Sequence, residues 1–283
     1  MARRFHFPPR KSILIRMKSP KESSLDRKLL DAATGEARRA AEMLIADEEV
    51  QALQEYANTV SIRRLNFNDH GPVHMRKVAL NALRMLDLLA AGGVKPSLEA
   101  DGAGTMDDSG VAVLMAAFLH DVGMSVGRQN HEQNSAILAG PIIARMLKAL
   151  YPAEVARRIA IQCVALEGIE GHMATQRIHS MEAGLILVAD GCDMEKGRSR
   201  IPMMLSVEPR VGDIHQYSAA AISRVTIEPG EHRPIRIDIL MDESVGFFQV
   251  EEVLLQKVNM SPVKPHIELY AAVEGQPPRR YLG

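Results

Sequence analysis

The chain has 283 residues, enough for one large core or for a core with a smaller companion domain. Hydrophobic residues make up 46% and charged residues 24%, the composition of an ordinary soluble globular protein, and a formal net charge of −1 excludes a global attraction to nucleic acid or to an acidic membrane surface. The longest clear apolar run, residues 111–119, is too short to span a bilayer, so no membrane partner is expected.

Charge is unevenly spread. Residues 1–28 carry nine Lys/Arg against Glu22 and Asp26, and 1–24 reads as a basic, solvated arm. Arg3 and Arg4 begin as a secretory leader does, but His6, Pro8 and Pro9 interrupt any apolar segment behind them. Cys163 and Cys192 are the only cysteines and sit in apolar helical context, which predicts buried thiols and a reducing, cytoplasmic location.

Residues 25–60 lack proline and are rich in Ala, Leu, Glu and Arg, which predicts two helices. Asn66 to Pro72 reads as a turn, with Pro72 suited to a first helical position. From there His74, Val78, Ala82, Met85 and Leu89 share one helical face, so His74 is presented inward. Glycines and acids over 92–110 predict an exposed loop.

The run Val111 to Leu119 predicts a buried helix that delivers His120 and Asp121 side by side to the edge of the core, with Gly123 as its stop. Uncompensated burial of a carboxylate is costly, so a charge, a donor or a metal is expected there. Residues 132–150 read as a helix broken or kinked at Gly140-Pro141. Residues 152–166 read as another, with Val155, Ile159, Cys163 and Leu166 aligned, and Gly168 to Gly171 break the chain before His172. A helix over 180–196, capped by Ser180, ends its apolar run at Asp190.

Texture changes near 205–215. Val225 and Ile227 precede a Pro229-Gly230 turn, and Ile235, Ile237 and Ile239 alternate after it, which is hairpin patterning. Val250, Val253, Leu254 and Val258 mark a helix; Ile267, Leu269, Ala271 and Val273 mark a strand. The expected architecture is mainly α over 25–206, followed by a small α+β (ββαβ) domain over 207–275 and a tail over 276–283.

Six polar residues gather at helix ends or on buried helix faces: His74, His120, Asp121, His131, His172 and Asp190. Imidazole and carboxylate suit a divalent transition ion (Mn, Fe, Ni, Co or Zn), with Mg possible on the carboxylates. His179, beside the Ser180 cap, reads as structural. His215, His232 and His266 show no ligand spacing, and the 16 methionines read as core filling.

His74, the His120-Asp121 pair with Gly123, and Asp190 in Leu-Val-Ala-Asp-Gly-Cys-Asp resemble the H…HD…D signature of the HD-domain superfamily of metal-dependent phosphohydrolases, over roughly residues 65–200. The resemblance implies an HD-type helical bundle in which His74, His120, Asp121 and Asp190 hold one metal. His131 and His172 resemble the added histidines of a two-metal branch, with Asp121 bridging. The segment Asn68 to His74 is similar to a cyclic-nucleotide phosphodiesterase motif, although the flanking residues differ, and this makes His70 a candidate general acid.

Asp69 is placed to orient His70 or accept a proton. Arg128, Arg198 and Arg200 lie near the ends of the metal-bearing segments and suit phosphate oxygens, with Arg76 and Lys77 as further candidates. The expected activity is hydrolysis of a nucleotide-like phosphomonoester or phosphodiester by metal-activated water. An HD-type di-iron oxygenase and a metal- or nucleotide-binding regulatory module are the alternatives. A homodimer and a nucleic-acid contact through the small domain stay open.

Overall fold

Helices occupy most of the chain from Pro20 to Cys192 in the computed structural model, which describes residues 18–65, 67–196 and 214–283, apart from the side chains of residues 215 and 216. Helix α1 (Pro20–Ala32) starts at a capping box in which Ser19 and Glu22 satisfy each other's backbone donors. The basic arm therefore gives way to helix before residue 24. Helices α2 (Gly35–Ala46) and α3 (Glu48–Thr59) follow, with Asp47 capping the second by accepting from Val50 N. The stretch predicted to hold two helices thus holds the end of one and two more, because Asp47 supplies a cap where no proline or glycine marks a break.

Helix α4 (Pro72–Ala91) has Pro72 at its first position and buries His74, Val78, Ala82, Met85 and Leu89, the predicted face. The predicted loop over 92–110 is in part structured. Helix α5 (Ser97–Ala100) lies within it and buries Leu98, and helix α6 (Met106–Leu119) starts from a Thr105–Asp108 capping box. Asp108, Ser109 and Gly110 are buried because Arg157 and Tyr151 reach the Asp108 carboxylate and Glu182 accepts from Ser109. Long-range polar partners of this kind leave no local pattern. Every residue of α6 from Asp108 onward is buried, and α2, α4, α8 and α9 pack around it.

Helix α7 (His131–Leu150) runs unbroken through Pro141. Helix α8 (Val155–Gly171) extends past its expected end, and Gly168 and Gly171 belong to it. Its core face is also not the predicted one. Ile161, Ala165 and Ile169 are buried at spacings of four, whereas Val155 is 59% and Ile159 55% exposed, and Cys163 is exposed rather than buried. Close approach explains the glycines: a Cβ at Gly168 would lie 3.2 Å from Ala116 and 3.3 Å from Ile186. Helix α9 (Met181–Cys192) begins at the predicted Ser180 cap.

After a short helix α10 (Ile214–Ala220), strands β1 (Ile222–Pro229) and β2 (Ile235–Met241) form the predicted antiparallel hairpin. A helical crossover over 247–260 ends as α11 (Leu255–Met260) and returns the chain to β3 (Ile267–Val273), which pairs parallel to β2. The expected tail holds a fourth strand, β4 (Arg279–Leu282), antiparallel to β3. The result is a four-stranded mixed sheet in the order β1-β2-β3-β4. Its inward residues Ile235, Ile237 and Ile239, with Val250, Leu254 and Val258 of the crossover, join the same apolar cluster as α4, α6 and α9. Among the described residues, no helix is long and apolar enough to cross a membrane.

Candidate metal centre

Adjacent residues on a helix point about 100° apart, so a His-Asp pair inside a helix cannot serve one point. Here α6 ends at Leu119 and His120 is its C-cap. Asp121 takes φ −106°, ψ 3°, and a 3₁₀ turn (Val122–Ser125) follows. Both side chains lie in one buried space, with Asp121 Oδ2 3.3 Å from His120 Nε2. Gly123 is not the helix stop. It is the point where this turn meets the start of α7, and a Cβ on it would lie 2.0 Å from the His131 carbonyl and 2.5 Å from Ser135 N.

His74 comes from the first turn of α4, His131 from the first residue of α7, His172 from the C-cap of α8 and Asp190 from the last turn of α9. Asn130, in a left-handed conformation at φ 53°, turns the chain into α7 and so aims His131. All six predicted ligands are brought together and buried, Asp190 being the most open at 7%.

Asp121 lies at the middle. Its Oδ2 is 3.3 Å from His74 Nε2 and 3.3 Å from His120 Nε2, and Asp190 Oδ1 is 3.2 Å from His74 Nε2. Its Oδ1 faces the other way, 3.2 Å from His131 Nε2 and 3.4 Å from His172 Nε2. The two half-sites therefore share one carboxylate. Donor atoms around one ion, with bonds of about 2.1 Å, lie about 3.0–3.4 Å apart, the spacing seen here.

The outer nitrogens explain why the inner ones are free to ligate. His120 Nδ1 lies 2.9 Å from the Ala117 carbonyl, His131 Nδ1 3.0 Å from that of Arg128, and His172 Nδ1 2.6 Å from that of Ile169. His74 Nδ1 lies 2.7 Å from Asp193 Oδ2. Carbonyl and carboxylate oxygens only accept, so each Nδ1 donates and each Nε2 keeps a lone pair. Those lone pairs then confront one another, 3.2 Å apart for His74 and His120 and 3.1 Å for His131 and His172. Acceptors crowded like this repel unless a cation lies among them, so the donor set fits one or two divalent ions.

Burial pushes the His172 imidazole down to about 4, which keeps it neutral at ordinary pH. Burial alone would raise Asp121, but the close approach of the His120, His70 and His131 rings outweighs it and holds the carboxyl well below its usual range.

The other predicted residues divide. Gly71 is extended, so helical geometry does not reach back to His70, yet the His70 and His74 rings lie 5.9 Å apart. His70 Nδ1 is 2.6 Å from the Asn68 carbonyl and 2.9 Å from Ser61 Oγ, so these two groups, rather than Asp69, occupy its outer nitrogen. Asp69 Oδ1 instead accepts from Gly71 N at 2.8 Å, which closes the turn before α4. Arg128 Nη1 reaches to 3.5 Å of His131 Nε2, and its guanidinium lies 5.7 Å from the Phe67 ring centre. It makes no ion pair with a carboxylate among the described residues. Arg198, Arg200 and the domain boundary near 206 lie outside the described residues.

Arg76 is a structural residue. It is fully buried, 2.6 Å from Asp26 and bonded to Gln51, Gln54 and the Pro72 carbonyl, tying α1, α3 and α4 together. Lys77 is committed too, 2.8 Å from Asp193 and 2.9 Å from Glu195, and these carboxylates raise its pKa against the opposing effect of burial.

Two residues carry roles the sequence did not suggest. Asp193 orients His74. Lys257, from α11, donates to Asp190 Oδ2 and, at 2.8 Å, to the His172 carbonyl. A cavity of about 70 Å³ adjoins the centre, lined by Asn68, Asp190, Asp193, Gln249, Val253 and Lys257.

No known family description and no solved structure matches the chain. A sequence relative does. It is an uncharacterized protein of Methanocaldococcus jannaschii, 38% identical over 254 residues that cover 90% of this chain and 96% of the relative. The similarity runs over nearly the whole of both proteins, and the chain belongs to the same family as this archaeal protein.

Proposed function

We propose that the protein is a metal-dependent phosphohydrolase of HD type that cleaves a nucleotide-like phosphate ester. The observation that carries the reading is the shared carboxylate: Asp121 offers one oxygen to His74 and His120 and the other to His131 and His172. Bound at two such half-sites, divalent ions supply Lewis acidity to a phosphoryl group and lower the pKa of water.

The remaining chemistry belongs to the chain's own residues. The Asn68 carbonyl takes the proton side of His70 Nδ1, so a proton given to a leaving oxygen moves at Nε2. Arg128, without a carboxylate partner among the described residues and beside the His131 ligand, suits an equatorial phosphoryl oxygen. Phe67, 40% exposed and beneath that guanidinium, offers an apolar face to a base or similar group. Asp69 serves the turn that sets the His70-to-His74 spacing.

The test is elemental analysis of the purified protein, followed by phosphate release from a panel of mono- and diesters under Mn²⁺, Fe²⁺, Ni²⁺, Co²⁺, Zn²⁺ and Mg²⁺. His120→Ala serves as control. Phosphate release that needs bound metal and vanishes in His120→Ala is expected. Full metal occupancy without release from any ester, or oxygen uptake by the reduced iron-loaded protein, would overturn the reading.

A further inference from the structure

The C-terminal part of the chain meets the ligand set directly at Lys257 and a second time through a relay. Lys257 of α11, buried at 8% exposure, donates to Asp190 Oδ2 and to the His172 carbonyl. Separately, Val225 N of β1 donates to Glu195 Oε1 at 3.2 Å, and the other Glu195 oxygen holds Lys77, which holds Asp193, which holds His74.

Each Lys257 bond has a physical consequence. Asp190 Oδ1 faces His74 Nε2, so an ammonium on Oδ2 leaves Asp190 a single oxygen for the centre and fixes which one. The His172 carbonyl is at the C-terminus of α8, where backbone acceptors lack helical partners and favour a cation. One ammonium thus holds a carboxylate of the first half-site and the backbone under an imidazole of the second. His120, His172 and Asp190 offer ligand atoms within 4.8 Å of one another, so a small shift between α8 and α9 would spoil both half-sites.

We infer that Lys257 is a positioning residue of the metal centre, and that the centre is complete only when the small domain is seated on the helical bundle. This rests on the metal-centre part of the proposed function but not on phosphate-ester hydrolysis.

The experiment measures Mn²⁺ stoichiometry and affinity by titration calorimetry on the full chain and on Lys257→Met, a neutral side chain of similar length. Loss of an outer partner of a metal ligand weakens binding by about 10–100-fold, and that is the expected change. Charge alone predicts the opposite sign, because an ammonium beside a dication repels it. Equal or tighter Mn²⁺ binding by folded Lys257→Met would therefore overturn the inference. If Lys257→Met does not fold, the wild-type chain decides. Loading Mn²⁺ should slow amide exchange across Leu255–Met260, and unchanged exchange there overturns the inference. A wild-type chain that binds Mn²⁺ with this coupling but releases no phosphate sinks the hydrolase reading and leaves Lys257 in place. A wild-type chain that binds no divalent ion sinks both.

Discussion

His74 and Asp193, 119 residues apart in sequence, meet at 2.7 Å between Nδ1 and Oδ2. The pair is buried and sets the ring so that Nε2 faces Asp121 and Asp190. Replacing Asp193 by alanine removes the acceptor that selects this tautomer and leaves Lys77 paired with Glu195 among the described residues. Metal affinity at the His74 half-site is expected to fall about 10–100-fold. Asp193→Asn, which keeps an acceptor oxygen, should lose less. Competition against a chelating dye reads both variants, and equal affinity in wild type and Asp193→Ala would refute the role.

Because Asp121 is shared, its loss and the loss of a one-sided ligand should differ in kind. On the proposed two-ion reading, His172→Ala removes a donor from the second half-site only, so metal content is expected to fall from two ions to one. Asp121→Asn weakens a bond in each half-site, and content should fall toward none. Elemental analysis after gel filtration distinguishes these cases. Two ions retained by His172→Ala would mean that the imidazole does not ligate.

Gly123→Ala tests how tightly the His-Asp turn is pressed against α7. The added Cβ meets backbone atoms, the His131 carbonyl and Ser135 N, which cannot move aside as a flexible side chain does. Overpacking of this sort costs about 1–3 kcal/mol, or a fall of about 2–12 °C in Tm. Metal binding should weaken along with it, since His131 shifts with its carbonyl. Calorimetry of the apo and metal-loaded forms checks both.

Asp108 offers a pH signature away from the metal ligands. Burial raises its pKa, but hydrogen bonds from Arg157, Tyr151 and Thr105 outweigh that and hold it below the usual value. A carboxyl depressed in the folded state contributes stability that is present above the unfolded pKa of about 3.9 and is lost as pH falls through the lower folded value. Asp108→Asn should cost about 1.5–3 kcal/mol at pH 7. Between pH 5 and 3 the wild type should lose more stability than the variant, so the gap narrows in acid. Urea unfolding across that range measures it, and a constant gap would mean that the carboxylate charge contributes nothing.

What could be read in the chain followed from local rules. The inward face of α4, the Ser180 cap, Pro72 at the first position of α4, and the alternation of β2 and β3 all rest on periodicity or on neighbours within a few positions. The misplaced face of α8 shows the limit. Val155, Ile159 and Cys163 are as apolar as a core stripe, but the helix buries Ile161, Ala165 and Ile169 instead, on the side where Gly168 comes close to Ala116 of α6 and Ile186 of α9. Asp108 shows the same for polarity, since its burial depends on Arg157, 49 residues away.

The sequence by itself determined the kinds of candidate ligand, their order and their helical settings: His74, His120-Asp121, His131, His172 and Asp190. Side-chain chemistry and helix ends are local properties, and they are written in consecutive residues. Only the tertiary structure decided which Asp121 oxygen faces which pair of imidazoles, that Asp193 and not a backbone group turns His74, and that Lys257 arrives from the crossover between β2 and β3. Those are distances between segments up to 119 residues apart, and packing of separate helices alone sets them.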